Sequence, residues 1–168
     1  MRFVVCIKQV PETTDVKINP ETHTLMREGV TSIVNPFDMY AIEEAIRMKS
    51  RVGAGTVTAL TMGPPQAEAV LREAIAMGAD EGILLSDRAF AGSDTLATSY
   101  ALGCAVRKIG PFDLIVTGLE TLDGSTGQVG PELAENLDVP FVAYVSSIAS
   151  VGDGTLECER LMEDHYEK

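Results

Sequence analysis

The residues best suited to chemistry lie in one loop, residues 118–131, which reads GLETLDGSTGQVGP. Its four glycines let the backbone approach a ligand closely, and the free N–H groups at the start of the following helix suit an anion. The hydroxyl groups of Ser125 and Thr126 add hydrogen-bond donors. The pattern indicates a phosphate-binding loop, with a glycine-rich connection that holds no ligand as the alternative. Pro131 predicts that the helix starts late or is kinked.

Three other segments place polar or aromatic side chains at ends of predicted strands or helices. Residues 35–38 (NPFD) begin a helix, where Asn and Asp fit either a ligand contact or simple capping, and residues 61–65 (TMGPP) end a strand. Residues 87–95 (DRAFAGSDT) contain Arg88, suited to phosphate, an anionic ring or a structural salt bridge, and Phe90, suited to stacking or burial. The convergence of these loops predicts one binding mouth more strongly than any single motif does.

The sequence lacks the motifs of several enzyme classes. There is no GxSxG and no Walker A sequence, and the GxG at Gly53 and Gly55 precedes a strand instead of following one. The three cysteines are isolated and the two histidines are distant in sequence, which argues against a zinc site and predicts reduced thiols. We interpret His23 as a surface turn residue and His165 as a solvated one.

The elements that must position these loops alternate along the chain. Short β-branched runs follow longer segments with helical periodicity, an order typical of a parallel sheet with helices on both faces. Asn or Asp before, and Gly after, several of the helical segments predict their ends, with Ser93 or Asp94 capping the third helix. The predicted strands are residues 3–7, 56–62, 81–85, 114–117 and 141–145, and the predicted helices are residues 39–49, 66–77, 95–108 and a segment ending at 137.

We therefore predict an α/β fold with three layers, a parallel sheet between two layers of helices, over residues 1–150. Residues 11–31 are too long and polar for a plain connection, which predicts an excursion hairpin. Residues 155–162 alternate in polarity, which predicts a hairpin arm, and residues 151–168 are interpreted as the start of a β arm. In such folds ligands bind at the carboxyl ends of the strands, near the topological switch point.

The charge balance excludes some partners. With 13 Lys and Arg against 25 Asp and Glu, the net charge is −12, which disfavours nucleic acid and anionic membrane surfaces. No apolar run has the length of a membrane span, and the N-terminus is too short for a signal peptide, so the sequence predicts a cytoplasmic protein without membrane insertion. A nucleotide ligand remains compatible, because backbone amides bind phosphate without lysine.

Four segments give the chain a family likeness: VVCIKQVPET, NPFDMYAIEEAIRMK, MGADEGILLSD and DGSTGQVGPELAENL. Together they resemble the beta subunit of electron transfer flavoproteins, across essentially the whole chain and in the same order. The resemblance implies that residues 1–150 form a Rossmann-like, adenine-nucleotide-binding α/β domain that holds a nucleotide or a flavin and pairs with an FAD-carrying alpha subunit. The ligand is either a structural AMP or, in electron-bifurcating members, a second FAD reduced by NADH. Family members continue well beyond this chain, so the C-terminal third of their pattern, including the rest of the β arm, is expected to be missing.

The resemblance also implies site residues. The nucleotide contacts of the family fall on Cys6, Asn35, Pro36, Phe37, Asp38, Met62, Glu120, Thr121, Leu122, Asp123, Gly124, Ser125, Thr126, Gly127, Gln128 and Val129. The phosphate role belongs mainly to residues 125–128. The loop 87–95 looks like that of the bifurcating branch, which favours FAD over AMP and adds Arg88, Phe90, Ala91, Gly92, Asp94 and Thr95.

The function expected from this resemblance is electron transfer without catalytic side chains. The chain would pass electrons from NADH towards the alpha-subunit FAD and a low-potential acceptor, with an acyl-CoA dehydrogenase-type or other flavin or iron–sulfur dehydrogenase as partner. A non-bifurcating subunit with AMP is one alternative, and a non-redox, stress-type ATP- or AMP-binding domain is another. A nucleotide hydrolase or ligase would have to use Lys8 and Asp123, the nearby candidates for phosphate or metal chemistry.

Overall fold

A four-stranded parallel sheet organises the molecule in the computed structural model, which describes residues 1–12, 31–152 and 154–168. The strands and helices in chain order are β1 (Arg2–Cys6), β2 (Gln9–Pro11), β3 (Ser32–Val34), α1 (Pro36–Val52), β4 (Thr56–Met62), α2 (Glu68–Met77), β5 (Glu81–Leu85), α3 (Thr95–Ile109), β6 (Leu114–Thr117), α4 (Val129–Leu137), β7 (Val145–Gly152), β8 (Thr155–Leu161) and β9 (Tyr166–Glu167). Single 3₁₀ turns lie at Pro65–Ala67 and Arg88–Phe90.

The strand order in the parallel sheet is β5-β4-β1-β6. Successive side chains of a strand point to opposite faces. In β1, Phe3 and Val5 pack with α1 and α2 on one face, and Val4 and Cys6 pack with α3 and α4 on the other. Both faces of the sheet are therefore covered by apolar helix surfaces, which explains the nearly continuous apolar strand sequences and confirms the predicted α/β fold.

Helix ends follow the residues that predicted them. Asp94 caps α3 by accepting a hydrogen bond from the Ala97 N–H at 2.8 Å, and Gly53 ends α1 in the left-handed region at φ 71°. The late start predicted from Pro131 is confirmed, because α4 begins at Val129 and places the proline third in the helix. At that position its missing N–H breaks no intrahelical hydrogen bond.

The predicted fifth strand, residues 141–145, is wrong. No regular structure joins α4 to β7, and β7 begins only at Val145, where it pairs antiparallel with β8 in a separate sheet with β9. Tyr144 takes φ 58°, a left-handed conformation that no strand contains, and Phe141 remains 46% exposed. The apolar run resembles a buried strand in composition only. The antiparallel sheet confirms the predicted C-terminal β extension.

The C-terminal sheet is attached to the main domain through α1. Ile148 of β7 is buried in the same apolar cluster as α1, and the Arg51 guanidinium donates a hydrogen bond to the Ile148 carbonyl oxygen. Strands β2 and β3, which lie on either side of the predicted excursion hairpin, pair antiparallel. Residues 13–30 of that segment, including His23, lie outside the described residues. No helix within the described ranges is both long and apolar enough to cross a bilayer.

Candidate functional site

The topology of the sheet locates the candidate site. From β1 the chain builds outward through β4 to β5 and then returns to place β6 on the other side of β1, so its direction reverses between β1 and β6. Cys6 and Thr117 are register partners at the carboxyl ends of these two strands. Ligands of open α/β sheets bind in the crevice at such a switch point. The loop that follows β6, residues 118–128, is the glycine-rich loop singled out from the sequence.

Asn35 connects the start of α1 to the glycine-rich loop. Its side chain, fully buried, makes no capping hydrogen bond to its own helix. The Nδ2 group donates to the Glu120 carbonyl oxygen at 2.8 Å, and Oδ1 accepts from the Leu122 N–H at 3.2 Å. The capping alternative for Asn35 is therefore wrong, because both ends of its amide are used to fix two backbone groups of the loop.

Asp38, the third residue of α1, joins the two strand ends. Its Oδ2 accepts the Lys8 N–H at 2.7 Å, and it also receives a backbone hydrogen bond from Gly118. Burial raises the pKa of Asp38 to about 6, although the hydrogen bonds from Asn35, Lys8 and Gly118 and the charge of Lys8 favour the ionised form. A carboxyl group that titrates near neutrality thus holds the residues that follow β1 and β6.

Gly118 lies against this carboxylate with no space for a side chain. A Cβ atom there would overlap Asp38 Oδ1 and would come within 2.9 Å of the Phe37 carbonyl carbon and 3.0 Å of the Asp38 nitrogen. Two of these three atoms are backbone. The glycine is required by close approach, since its φ angle lies outside the left-handed region.

An ion pair closes the other side of the glycine-rich loop. Lys8 Nζ lies 2.7 Å from Asp123 Oδ1, and the Asp123 side chain is only 10% exposed. Burial alone would raise the pKa of Asp123. The hydrogen bond and the charge of Lys8, together with a hydrogen bond from Thr121, outweigh burial, so the pKa of Asp123 lies below its ordinary value. Both residues that nucleotide hydrolysis would need are thereby paired with each other.

The tip of the loop turns sharply at residues predicted to bind phosphate. Ser125 takes φ 47° and Gly127 φ 61°, and the Ser125 N–H donates to the Thr121 carbonyl oxygen at 2.8 Å. The Gln128 side chain donates to the Thr126 carbonyl oxygen at 3.2 Å. Ser125, Thr126 and Gln128 are exposed just before the first turn of α4, where free N–H groups favour an anion.

Cys6 and Met62 lie at the ends of neighbouring strands. Burial, and then the negative charge of Asp38, raise the pKa of Cys6 to about 12, which keeps it a neutral thiol. Met62 is half-buried at the end of β4, and Pro36 and Phe37 are half-buried at the start of α1. All four side chains are uncharged and lie at strand or helix ends on the carboxyl edge of the sheet.

The loop 87–95 lies on the far side of the sheet edge from the glycine-rich loop. It follows β5, three strands from β6, a distance of about 14 Å at the usual strand spacing. Arg88 is exposed in a 3₁₀ turn that Asp87 caps, and no acidic side chain in the described parts of the chain forms an ion pair with it. The salt-bridge alternative for Arg88 thus gains no support there. Phe90 is half-buried, while Ala91 and Gly92 are exposed.

Polar contacts join α3 and α4, the helices that follow the loop 87–95 and the glycine-rich loop. These contacts were not predicted from the sequence. Thr95 donates to Glu132 at 3.0 Å, and Asn136 donates to Ser99 at 3.0 Å, so both helices use positions four residues apart. This spacing in each helix was the available signal. The role of Lys8 was also missed, because its main-chain N–H, which no side-chain motif reveals, makes the contact to Asp38.

The arrangement suits binding of an anionic nucleotide through backbone groups. In and beside the glycine-rich loop, Lys8 and Asp123 are paired with each other and the Asp38 carboxylate is buried. In the ranges that the structure describes, no three His, Cys, Asp or Glu side chains converge as metal ligands would.

Comparison with known proteins gives a consistent result. The family model "Electron transfer flavoprotein domain" matches residues 22–167. The electron transfer flavoprotein subunit beta of Thermoanaerobacterium thermosaccharolyticum is 55% identical over 167 residues, 99% of this chain and 63% of the relative. Protein FixA of Azotobacter vinelandii is 54% identical over 162 residues, 95% of this chain and 57% of the relative.

A third relative belongs to a named enzyme complex. The caffeyl-CoA reductase-Etf complex subunit CarD of Acetobacterium woodii is 50% identical over 167 residues, 99% of this chain and 63% of the relative. The chain therefore spans 57 to 63% of the length of these three relatives.

Proposed function

Because the chain belongs to the electron transfer flavoprotein family, among its beta subunits, we propose that it binds a nucleotide cofactor in the crevice between β1 and β6 and takes part in electron transfer. The observation that carries the proposal is the fixed glycine-rich loop. Asn35 and Asp38 hold its backbone against the end of β1, and the hydroxyls of Ser125 and Thr126 lie just before α4.

The residues present fit a phosphate-bearing group. The loop offers glycine, hydroxyl and amide donors, and the one carboxylate deep within it, Asp123, is neutralised by Lys8. Ser125, Thr126, Gly127 and Gln128 would hold the phosphates, while Cys6 and Met62 would provide an uncharged floor beside them. When bound, a flavin supplies the electron chemistry, and the protein supplies binding, orientation and electrostatics.

We further propose that the nucleotide is FAD, with AMP as the alternative. A ligand that reaches both the glycine-rich loop and Arg88 has to cover about 14 Å of the sheet edge, which suits a dinucleotide better than AMP. Arg88 would stabilise an anionic reduced ring, and residues 90–92, 94 and 95 would line the approach. The proposal also includes NADH as the electron donor, an alpha subunit, and a flavin or iron–sulfur dehydrogenase as partner. The CarD relative, a subunit of a reductase complex, supports a partner of this last kind.

The test is the absorption spectrum and nucleotide content of this chain co-expressed with an alpha subunit. Two FAD and no AMP per heterodimer are expected, followed by bleaching of the flavin on NADH titration. One FAD and one AMP would replace the FAD proposal by a structural-nucleotide role. A colourless complex that holds only ATP or AMP would contradict electron transfer by these subunits.

Arg88→Ala is expected to weaken FAD binding about tenfold while AMP affinity stays unchanged, because a lost charge-assisted contact costs about 1.5–3 kcal/mol. Isothermal titration calorimetry with each nucleotide measures the two dissociation constants. Arg72→Ala is the matched control, since Arg72 is an exposed arginine of α2 that pairs only with Glu68 of its own helix among the described residues. Equal FAD affinity in wild type and Arg88→Ala would show that Arg88 has no role in flavin binding.

A further inference from the structure

We infer that the side chains of Asn35 and Asp38 are positioning groups: they act on the nucleotide through the backbone of the glycine-rich loop, whose peptide groups they hold. The inference rests on the proposed nucleotide-binding function. It goes beyond the family resemblance, which implies only that residues 35–38 lie among the nucleotide contacts. It also assigns these two side chains a shared task, which is to fix the loop after β6 relative to the end of β1.

The contacts of Asn35 leave its side chain little capacity for a ligand. It is fully buried, and its amide already binds the Glu120 carbonyl oxygen and the Leu122 N–H. These two groups lie two residues apart on the glycine-rich loop. One planar amide thus determines both the position and the orientation of the loop as it leaves β6.

Asp38 is similarly occupied. It is 4% exposed, its Oδ2 accepts the Lys8 N–H, and the Gly118 backbone packs against its other oxygen. The two peptide groups it holds follow β1 and β6, the strands on either side of the switch point. Asp38 therefore sets the width of the crevice in which the nucleotide is proposed to bind.

Among Asp38 and the charged and titratable groups that face it, Asp38 is the group whose protonation changes between pH 5 and 8. On β1, Cys6 remains a neutral thiol throughout this range. Lys8, which follows β1, is paired with Asp123 of the glycine-rich loop, whose pKa lies below its ordinary value. Asn35, the residue before α1, hydrogen-bonds to Asp38 through its side chain and does not titrate.

Protonation of Asp38 would weaken this arrangement. A neutral carboxyl group replaces one acceptor by an O–H donor, which faces the N–H groups of Lys8 and Gly118. The loop then loses a charged acceptor that draws it to β1. With a pKa of about 6 for the group, nucleotide affinity that requires the ionised form is expected to be about tenfold weaker at pH 5 than at pH 8.

The experiment compares the full chain, wild type and Asp38→Asn, in FAD and AMP titrations from pH 5 to 8. We expect the affinity ratio between wild type and variant to fall about tenfold as the pH drops from 8 to 5; taking the ratio removes any titration of the ligand itself. Glu43→Gln is the matched control, because it removes one carboxylate from an exposed position of the same helix. A constant ratio would overturn the inference.

A readout without ligand separates this inference from the proposed function. The amide proton shifts of Lys8 and Gly118 should titrate with an inflection near pH 6 in the wild type and in Glu43→Gln, but not in Asp38→Asn. Absence of that inflection in the wild type would overturn the positioning role. If the inflection is present but neither FAD nor AMP binds, the proposed function fails while the positioning of the loop by Asp38 stands.

Asn35→Asp provides a second variant with the opposite pH dependence. A carboxylate at this position would face the Glu120 carbonyl oxygen, whereas a protonated carboxyl could donate to it and still accept from Leu122. Nucleotide affinity of Asn35→Asp should therefore recover as the pH falls, relative to wild type. Parallel pH profiles of the two proteins would contradict the role given to Asn35.

Discussion

Gly118→Ala is expected to lower the free energy of unfolding by about 3 kcal/mol and to eliminate measurable nucleotide binding. The added methyl group would overlap the Asp38 carboxylate and crowd two backbone atoms at the start of α1. Backbone atoms inside a helix cannot move aside as the end of a flexible side chain can. Relief requires the whole glycine-rich loop to shift away from β1, which breaks the hydrogen bonds made by Asn35 and Asp38.

Urea unfolding at pH 7.5 measures this effect, with Gly124→Ala as the control in the same loop. A Cβ at Gly124 meets only the Thr121 hydroxyl oxygen at 3.5 Å, an ordinary contact, and its φ is not positive. We expect that change to alter stability by at most about 0.5 kcal/mol. Equal stabilities for the two variants would show that the contact between Gly118 and Asp38 is not as tight as described.

The second large effect concerns the pH dependence of stability. Because burial raises the folded-state pKa of Asp38 from 3.8 to about 6, the group favours the folded state most below pH 3.8 and loses that contribution as the pH rises through 6. The shift corresponds to about 3 kcal/mol. Relative to Asp38→Asn, the wild type should therefore gain about 2 kcal/mol of unfolding free energy between pH 7.5 and pH 4, because the unfolded-state carboxyl is still largely ionised at pH 4.

Asp80→Asn tests the sign of this prediction. The hydrogen bond from Lys49 and that from the Val57 N–H lower the pKa of Asp80, so its contribution is present above its ordinary pKa and is lost as the pH falls. Unfolding in urea should thus give slopes of opposite sign in two pH windows: the Asp38 contribution falls as the pH rises from 4 to 7.5, whereas the Asp80 contribution falls as the pH drops below about 4. A difference between wild type and Asp38→Asn that stays constant with pH would contradict a raised pKa at Asp38.

Much of the fold follows from local sequence because strand and helix signals agreed with their tertiary setting. The runs at 56–62, 81–85 and 114–117 match β4, β5 and β6 residue for residue. The run at 141–145 failed because apolar composition does not encode burial, and the left-handed Tyr144 has no signal in its residue type. Strand assignment therefore succeeded where helices cover both faces and failed beyond the sheet's last helix.

The place of the candidate site was predictable from the sequence, but the contacts that hold it were not. The glycines, hydroxyls and strand ends indicated the loop 118–131, and this loop follows β6 at the carboxyl edge of the sheet, beside the switch point between β1 and β6. Which groups hold it could not be deduced, because Asn35 and Asp38 look like helix caps when only their neighbours in sequence are considered. Their partners are backbone groups of distant residues, which leave no side-chain pattern to recognise.

The hydrogen bonds that hold the glycine-rich loop also constrain when the crevice can form during folding. Those from Asn35 to Glu120, from Leu122 to Asn35 and from Lys8 to Asp123 join residues 85, 87 and 115 positions apart. Such long-range contacts have a high loop-closure cost and form late in folding. During synthesis, β1, α1, β4 and β5 emerge first, yet the crevice stays incomplete until β6 and the loop after it have emerged and joined β1. The crevice in which a nucleotide is proposed to bind is thus completed only after β6 and the glycine-rich loop have joined β1.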